Sequence, residues 1–153
     1  MKIKSDIIEL DGITTNSSPL ADTASGTIVE LTAAEDVVLG DVCYVGTDGK
    51  LHLGDATTIA TATAVAMALE PISTNATGRF LLHGIAHLNT LAPSWTVGGL
   101  VYLSLPVAGT PILKGKMTQV APSGTDEVVQ ILGVALATDV LMFNPQLVQI
   151  EIA

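Results

Sequence analysis

The sequence predicts a single, mainly β domain, a small antiparallel β-barrel or β-sandwich of short strands with an extended N-terminal arm. Apolar residues mostly alternate with polar ones or come in short runs. Gly, Pro, Asn, Asp and Ser recur about every eight to twelve residues, which is the turn spacing of such folds. Signals for helix ends are scarce. A chain of 153 residues usually forms one domain.

The clearest turn is Asp48-Gly49, which lies between two apolar runs. Asp-Gly favours a type I′ turn, in which both central residues have positive φ, so we expect a hairpin here. The predicted strands are Thr27–Thr32, Val42–Val45, Leu51–Leu53, Val65–Leu69, Arg79–Ala86, Leu100–Leu105, Lys116–Val120, Val128–Ala135 and Leu147–Ile152.

The last predicted strand alternates strictly. Val148, Ile150 and Ile152 share one face, and Gln149 and Glu151 share the other. Such alternation is typical of a half-buried antiparallel strand, so we expect the three aliphatic residues to face the core.

Two stretches allow more than one interpretation. Residues 57–64, where Ala and Thr alternate, fit a short helix or a loop that crosses the sheet. A faint internal repeat relates Gly40–Val45 to Gly99–Ser104, and each is followed by an apolar strand rich in Gly and Ala. Two similar β-halves that close on one another would explain this repeat, and chance similarity between Val-rich strands is the alternative.

The first 25 residues differ from the rest. Aliphatic side chains are concentrated at the start, and Thr14 to Ser25 is polar and small. We therefore divide the chain into an arm, residues 1–25, and a β-domain, residues 26–153. The arm is predicted to dock on a partner, with a disordered tail as the alternative. Its candidate contact residues are Ile3, Ile7, Ile8, Leu10 and Ile13.

Composition limits the partners. The formal net charge is −9, so phosphate backbones repel the chain and we expect no nucleic-acid contact. The sequence shows no signal peptide and no apolar run long enough for a membrane helix, so no membrane contact is expected. Charged residues are only 14% of the chain, whereas hydrophobic residues are 48%. Much of the surface must therefore be small and apolar, and such surfaces are usually buried by assembly.

Reactive constellations are weak. His83 and His87 would share a face of a strand but stand about 13 Å apart, too far for one metal ion. No Gly-x-Ser-x-Gly elbow is present, and Cys43 lies in an apolar run where a buried thiol is expected. We expect no catalytic residues, no metal and no cofactor. Trp95, in a loop that contains Pro93, is a candidate contact residue that caps either a core or an interface.

Four segments in order carry a family resemblance: Gly40-Asp41-Val42-Cys43-Tyr44-Val45, Arg79–Ala86, Val97–Leu103 and Gln130–Ala135, followed by the Val/Ile-rich end. This order, over about Glu30 to Ile152, resembles the small β-barrel decoration (cement) proteins of tailed-bacteriophage heads. The resemblance implies a β-tulip-like fold, a place on the outside of the mature capsid, often as trimers, and no enzymatic activity.

The resemblance leads to a functional expectation. It implies a structural virion protein, made in the host cytoplasm, that binds the major capsid protein and itself, as a homotrimer, and stabilises the capsid lattice. A phage tail or fibre-associated receptor-binding module is the alternative, although such modules more often carry exposed aromatic residues. An enzyme or small-ligand binder is the third possibility, and a cleft with clustered titratable groups would distinguish it.

Overall fold

The computed structural model describes residues 23–91, 93–108 and 112–153, and these residues form a mainly β, antiparallel domain, as predicted. Eleven strands are described. In chain order, β1 to β11, they span Thr23–Thr32, Val42–Val45, Leu51–Leu53, Ala66–Ala68, Thr77–His87, Leu100–Leu103, Met117–Thr118, Val128–Val129, Ile131–Ala135, Val140–Phe143 and Ile150–Glu151. The only helical segment among the described residues is a short 3-10 turn, Asn89–Leu91. No helix in this described part is long and apolar enough to cross a membrane.

The main sheet consists of two halves of four strands each, and the strands of the two halves are arranged in matching order from the edge of the sheet to its centre. It runs β3-β2-β4-β5-β10-β9-β6-β7. The hairpin β2–β3 with β4 and β5 thus corresponds to the hairpin β6–β7 with β9 and β10, and the two inner strands, β5 and β10, pair antiparallel at the centre. The internal repeat predicted from the sequence therefore has a counterpart in the topology. The remaining strands pair elsewhere, β1 with β5 and β11 with β8.

The sheet curls so that its two ends meet. The Val42 N–H donates to the Gly115 carbonyl at 2.9 Å, and the Gly115 N–H donates to the Gly54 carbonyl at 2.7 Å. These bonds join the β2–β3 end to the segment that leads into β7. We call this junction the seam.

The core lies where the two halves face each other. One cluster combines residues of both halves, among them Val42, Met67, Leu103 and Phe143, and a second lies under the first half around Phe80. Fully burying an aliphatic or aromatic side chain contributes roughly 1.5–3 kcal/mol, so these clusters are the main stabilising element.

Strand β5 changes partner part-way along. On one edge it pairs with β4 at Phe80 and Leu81, then with β10 from Gly84 onward. On its other edge Gly84 lies opposite Gly26 of β1, with φ of 150° and 139° respectively. A Cβ on either glycine would lie 2.2 Å or less from a backbone oxygen of the other strand. Only a glycine pair permits this close approach.

Several sequence expectations are corrected in detail. The Asp48-Gly49 hairpin forms, but only Gly49 has positive φ (75°), so the turn is not type I′. Val45 pairs with Leu51, so the loop between the strands has five residues, 46–50. Within this loop the Gly49 N–H donates to the Gly46 carbonyl and closes a turn, and Gly49, the last residue of that turn, has the left-handed conformation. The stretch 57–64 begins with a turn and contains no helix, in agreement with the loop interpretation, whereas Thr23–Ser25, assigned to the connection, begin β1.

Candidate assembly surface

The C-terminal segment, residues 147–151, exposes its aliphatic side chains to solvent. Gln149 is half-buried, and its Nε2 donates to the Ala62 carbonyl and to Thr63 Oγ1, both at 3.0 Å. Val148 and Ile150, which lie on either side of Gln149, are both exposed, and of these three residues only Ile150 belongs to β11. The expectation that the aliphatic residues face the core is therefore wrong for Val148 and Ile150, because two polar bonds hold the alternate residue instead.

These residues form an exposed patch. Val148 is 82% exposed, Leu147 72% and Ile150 64%. We call Leu147, Val148 and Ile150 the C-terminal apolar patch. Other strongly exposed aliphatic side chains are Val45, Ile59, Val97, Ile112 and Val120. A surface with this many exposed aliphatic side chains is typical of a protein that buries part of it against a partner.

The seam contains two buried carboxylates, each paired with a lysine. Asp41 Oδ1 accepts a hydrogen bond from Lys116 Nζ, and Asp41 Oδ2 accepts one from the Val38 N–H at 3.0 Å. Asp55 Oδ2 lies 3.4 Å from Lys114 Nζ. The side chains of both aspartates are at most 5% exposed, whereas the lysines remain partly in water. The two pairs flank Gly115, so they link the ends of the sheet electrostatically.

The two aspartates differ in their pKa. Burial raises the pKa of Asp41, although the hydrogen bond from Lys116 opposes this effect. Burial also acts to raise the pKa of Asp55, but hydrogen bonds from Thr57 and Thr61 and the charge of Lys114 outweigh it, so that pKa is lowered. The Thr61 hydroxyl donates to Asp55 Oδ1 at 3.0 Å and the Thr57 N–H donates to it at 3.1 Å. Two carboxylates in similar positions therefore respond oppositely to acid.

Trp95 lies in the core. It is 7% exposed, and its backbone N–H donates to the Thr138 carbonyl at 2.9 Å. Its side chain borders an open cavity of about 190 Å³, whose other walls include Leu88, Leu91 and the Asp41–Lys116 pair. Of the two positions predicted for Trp95, the structure shows the one that caps the core. Its contact with a partner stays a prediction.

The candidate reactive groups are separated. Cys43 is fully buried, and desolvation raises the pKa of its thiol to about 12. His83 and His87 both lie on β5, as expected, and His87 Nε2 is 2.8 Å from Asp139 Oδ2. Within the residues that the structure describes, no group of three or more His, Cys, Asp or Glu residues could hold a metal ion.

The remaining predicted contact residues lie outside the described residues: Ile3, Ile7, Ile8, Leu10 and Ile13. The structure instead adds residues that the sequence did not single out. These are the two aspartates of the seam, and Gln130, which is fully buried. In the sequence, Gly40-Asp41, Gly54-Asp55 and Lys114-Gly115-Lys116 are isolated charges beside glycines. No local feature of the sequence indicates that the lysines pair with the aspartates.

Comparison of the chain with protein-family models, with curated proteins and with solved structures found no match.

Proposed function

We propose that this protein is a structural component of a phage virion, which binds the outer surface of the capsid and stabilises the lattice of the major capsid protein. The observation that carries the proposal is the C-terminal apolar patch. Leu147, Val148 and Ile150 are strongly exposed, and Gln149 between them is anchored to the domain by its bonds to Ala62 and Thr63. An exposed apolar patch on an anchored segment is suited to contact with another protein.

The magnitude of the contact suits a repeated lattice. Burying an aliphatic side chain contributes roughly 1.5–3 kcal/mol, so the three patch residues supply several kcal/mol at each copy. Association costs at least about 4 kcal/mol in lost freedom of motion, so one patch alone gives weak binding. Repetition by symmetry converts weak contacts into a stable coat. A homotrimer, the expected oligomer, multiplies the contact threefold.

The charge fits a place away from nucleic acid. A net charge of −9 disfavours contact with packaged DNA, and the exterior of a capsid requires no such contact. The partners in this proposal are the major capsid protein and further copies of this chain. The protein performs no chemical step and needs no cofactor.

Capsid addition tests the proposal. Purified protein is mixed with expanded capsids and with unexpanded precursor capsids of the phage that encodes it, and bound protein is measured after sedimentation. We expect binding to the expanded form only, and cryo-EM density at the three-fold positions. Val148→Asp should lower binding at least tenfold. Val120→Asp is the matched control, because Val120 is 77% exposed but outside the patch.

The same experiment separates the alternatives. Equal binding by the Val148→Asp and wild-type proteins would remove the patch from the proposal. Binding to neither capsid form would overturn the proposal itself. Antibody labelling of virions at the tail instead of the head would favour the tail or fibre module.

A further inference from the structure

Strand β1 has one edge with which no strand of residues 23–153, as far as the structure describes them, is paired. Its ten residues pair with β5 from Thr23 opposite His87 to Thr32 opposite Thr77. No other described strand pairs with β1. The backbone groups along its outer edge are therefore available to a further strand.

This edge lacks most of the features that protect sheet edges from pairing. Proteins commonly place Lys or Pro on such edges, whereas β1 contains neither and has a single charged residue, Glu30. A register shift between Thr27 and Ile28 divides the strand into two regularly paired parts, Thr23–Thr27 and Ile28–Thr32, and the large aliphatic residues lie in the second part. Ile28 is 39% exposed, and no residue of β1 is buried. An added strand would therefore gain both backbone bonds and side-chain contacts.

We infer that this edge receives residues 3–13 of a second copy of the chain, so that copies are linked by strand addition. The inference rests on the proposed function and names the surface through which copies associate. The occupant is indicated by the chain itself, because residues 1–22 directly precede Thr23 and lie outside the described structure. Residues 3–13 of this segment include five aliphatic residues and the alternating run Ile8-Glu9-Leu10.

The length of the connection favours a second copy over the same chain. Hairpins that return a strand to its own neighbour usually use two to five residues. The connection 14–22 is longer, and it can span up to roughly 30 Å when extended. A domain of this size is about 30 Å across, so residues 3–13 can reach the β1 edge of an adjacent molecule.

Crosslinking between two singly substituted proteins tests the inference. Ile8→Cys protein is mixed with Ile28→Cys protein at high concentration and treated with a short bismaleimide. The natural thiol does not interfere, because Cys43 is fully buried. We expect a product with the mass of two chains. Val45→Cys replaces Ile28→Cys in the control, since Val45 is exposed but lies on β2, which is paired on both edges, and it should give at least fivefold less product.

A second variant keeps the test independent of crosslinking geometry. Ile28→Lys adds a charge to the Ile28–Thr32 part of the edge. We expect it to lower association between copies at least tenfold, as measured by sedimentation velocity. The variant should keep the unfolding transition that is measured by Trp95 fluorescence. Association equal to that of the wild type would overturn the inference.

The outcomes distinguish this inference from the proposed function. A double variant, Ile8→Cys with Ile28→Cys, that crosslinks only within one chain would show that the occupant is the chain's own segment. Absence of crosslinks together with normal addition to capsids would overturn this inference alone. Crosslinks between copies without any addition to capsids would overturn the proposed function alone.

Discussion

The side chain of Gln130 pairs with both backbone groups of Ala64. Its Oε1 accepts the Ala64 N–H at 3.0 Å, and its Nε2 donates to the Ala64 carbonyl at 2.8 Å and to the Gln146 carbonyl at 3.0 Å. Gln130 is fully buried and lies between β8 and β9 in the chain, whereas Ala64 lies two residues before β4, in the other half of the sheet. A side-chain amide thus substitutes for strand pairing and joins the two halves through the core.

Replacement of Gln130 by Ala should destabilise the protein strongly. It would leave the buried N–H and the buried carbonyl of Ala64 without this partner, and each unsatisfied group costs about 1–3 kcal/mol. We expect a loss of about 3–5 kcal/mol in the free energy of unfolding, measured in urea by Trp95 fluorescence. Gln146→Ala is the control, because the Gln146 side chain is exposed, and it should change the value by less than about 1 kcal/mol. Similar losses in both variants would contradict the assignment.

Replacement of Gly49 by Val should cost about 1–2 kcal/mol, because a β-branched residue resists positive φ. A Cβ at this position would meet no atom within 4 Å, so the cost is conformational and not steric. Gly49→Asn should cost less, because Asn tolerates the left-handed region better. Urea unfolding of the two variants measures the difference. Equal stability of the Val and Asn variants would show that Gly49 does not require its positive φ.

Asp55 should make the protein sensitive to acid. Its pKa is lowered in the folded state, so the stability that it contributes is present above the ordinary pKa of an aspartate and is lost as the pH falls through the lowered value. Asp55→Asn should therefore lower the melting temperature at neutral pH and reduce its fall between about pH 5 and pH 3. Asp126→Asn, at an exposed position, is the control and should keep the wild-type profile.

Asp41 should act in the opposite direction. Burial raises its pKa, so its contribution is fully present below the ordinary aspartate pKa and is lost as the pH rises through the raised value. Asp41→Asn should therefore steepen the loss of stability on acidification. The same thermal melts measure this, and parallel profiles for the Asp41 and Asp55 variants would contradict the opposite shifts.

Deletion of residues 1–15 should leave the domain folded. Residues 23–153 contain the main sheet and both core clusters, so the melting temperature of the free protein at low concentration should be nearly unchanged. Binding to capsids should fall sharply, because the aliphatic residues of the arm are removed. A truncated protein that binds capsids as tightly as the full chain would show that the arm is not a docking element. One that fails to fold would place the arm in the protein's own sheet.

The boundaries of short strands were largely predictable. Val42–Val45 and Leu51–Leu53 agree with the structure because an Asp-Gly turn and flanking glycines delimit them locally. The strand Val140–Phe143 was missed, although it lies at the centre of the sheet. It is a short, continuous apolar run without alternation, in which even the exposed position, Met142, is apolar, and such runs resemble many other apolar segments.

The candidate site was predictable only in composition. The excess of small apolar residues over charged ones predicted an exposed apolar surface, but not which residues compose it. Alternation in the last predicted strand was a poor guide, because Val148, Ile150 and Glu151 are all exposed, whereas Gln149 and Ile152 are half-buried. Period-two patterning specifies which residues share a face, and only contacts with other elements decide which face is buried.

By itself the sequence determined the fold class and the hairpin at Gly49, because turns and alternation are local properties of the chain, and it left the internal repeat open between two similar β-halves and chance similarity. The tertiary structure alone decided how the halves close. Gln130 meets Ala64, and Lys114 and Lys116 meet Asp55 and Asp41, across wide separations in sequence. Burial of these polar groups is tolerated only when their partners form hydrogen bonds or ion pairs with them, and no local sequence pattern specifies contacts between residues so far apart in the chain.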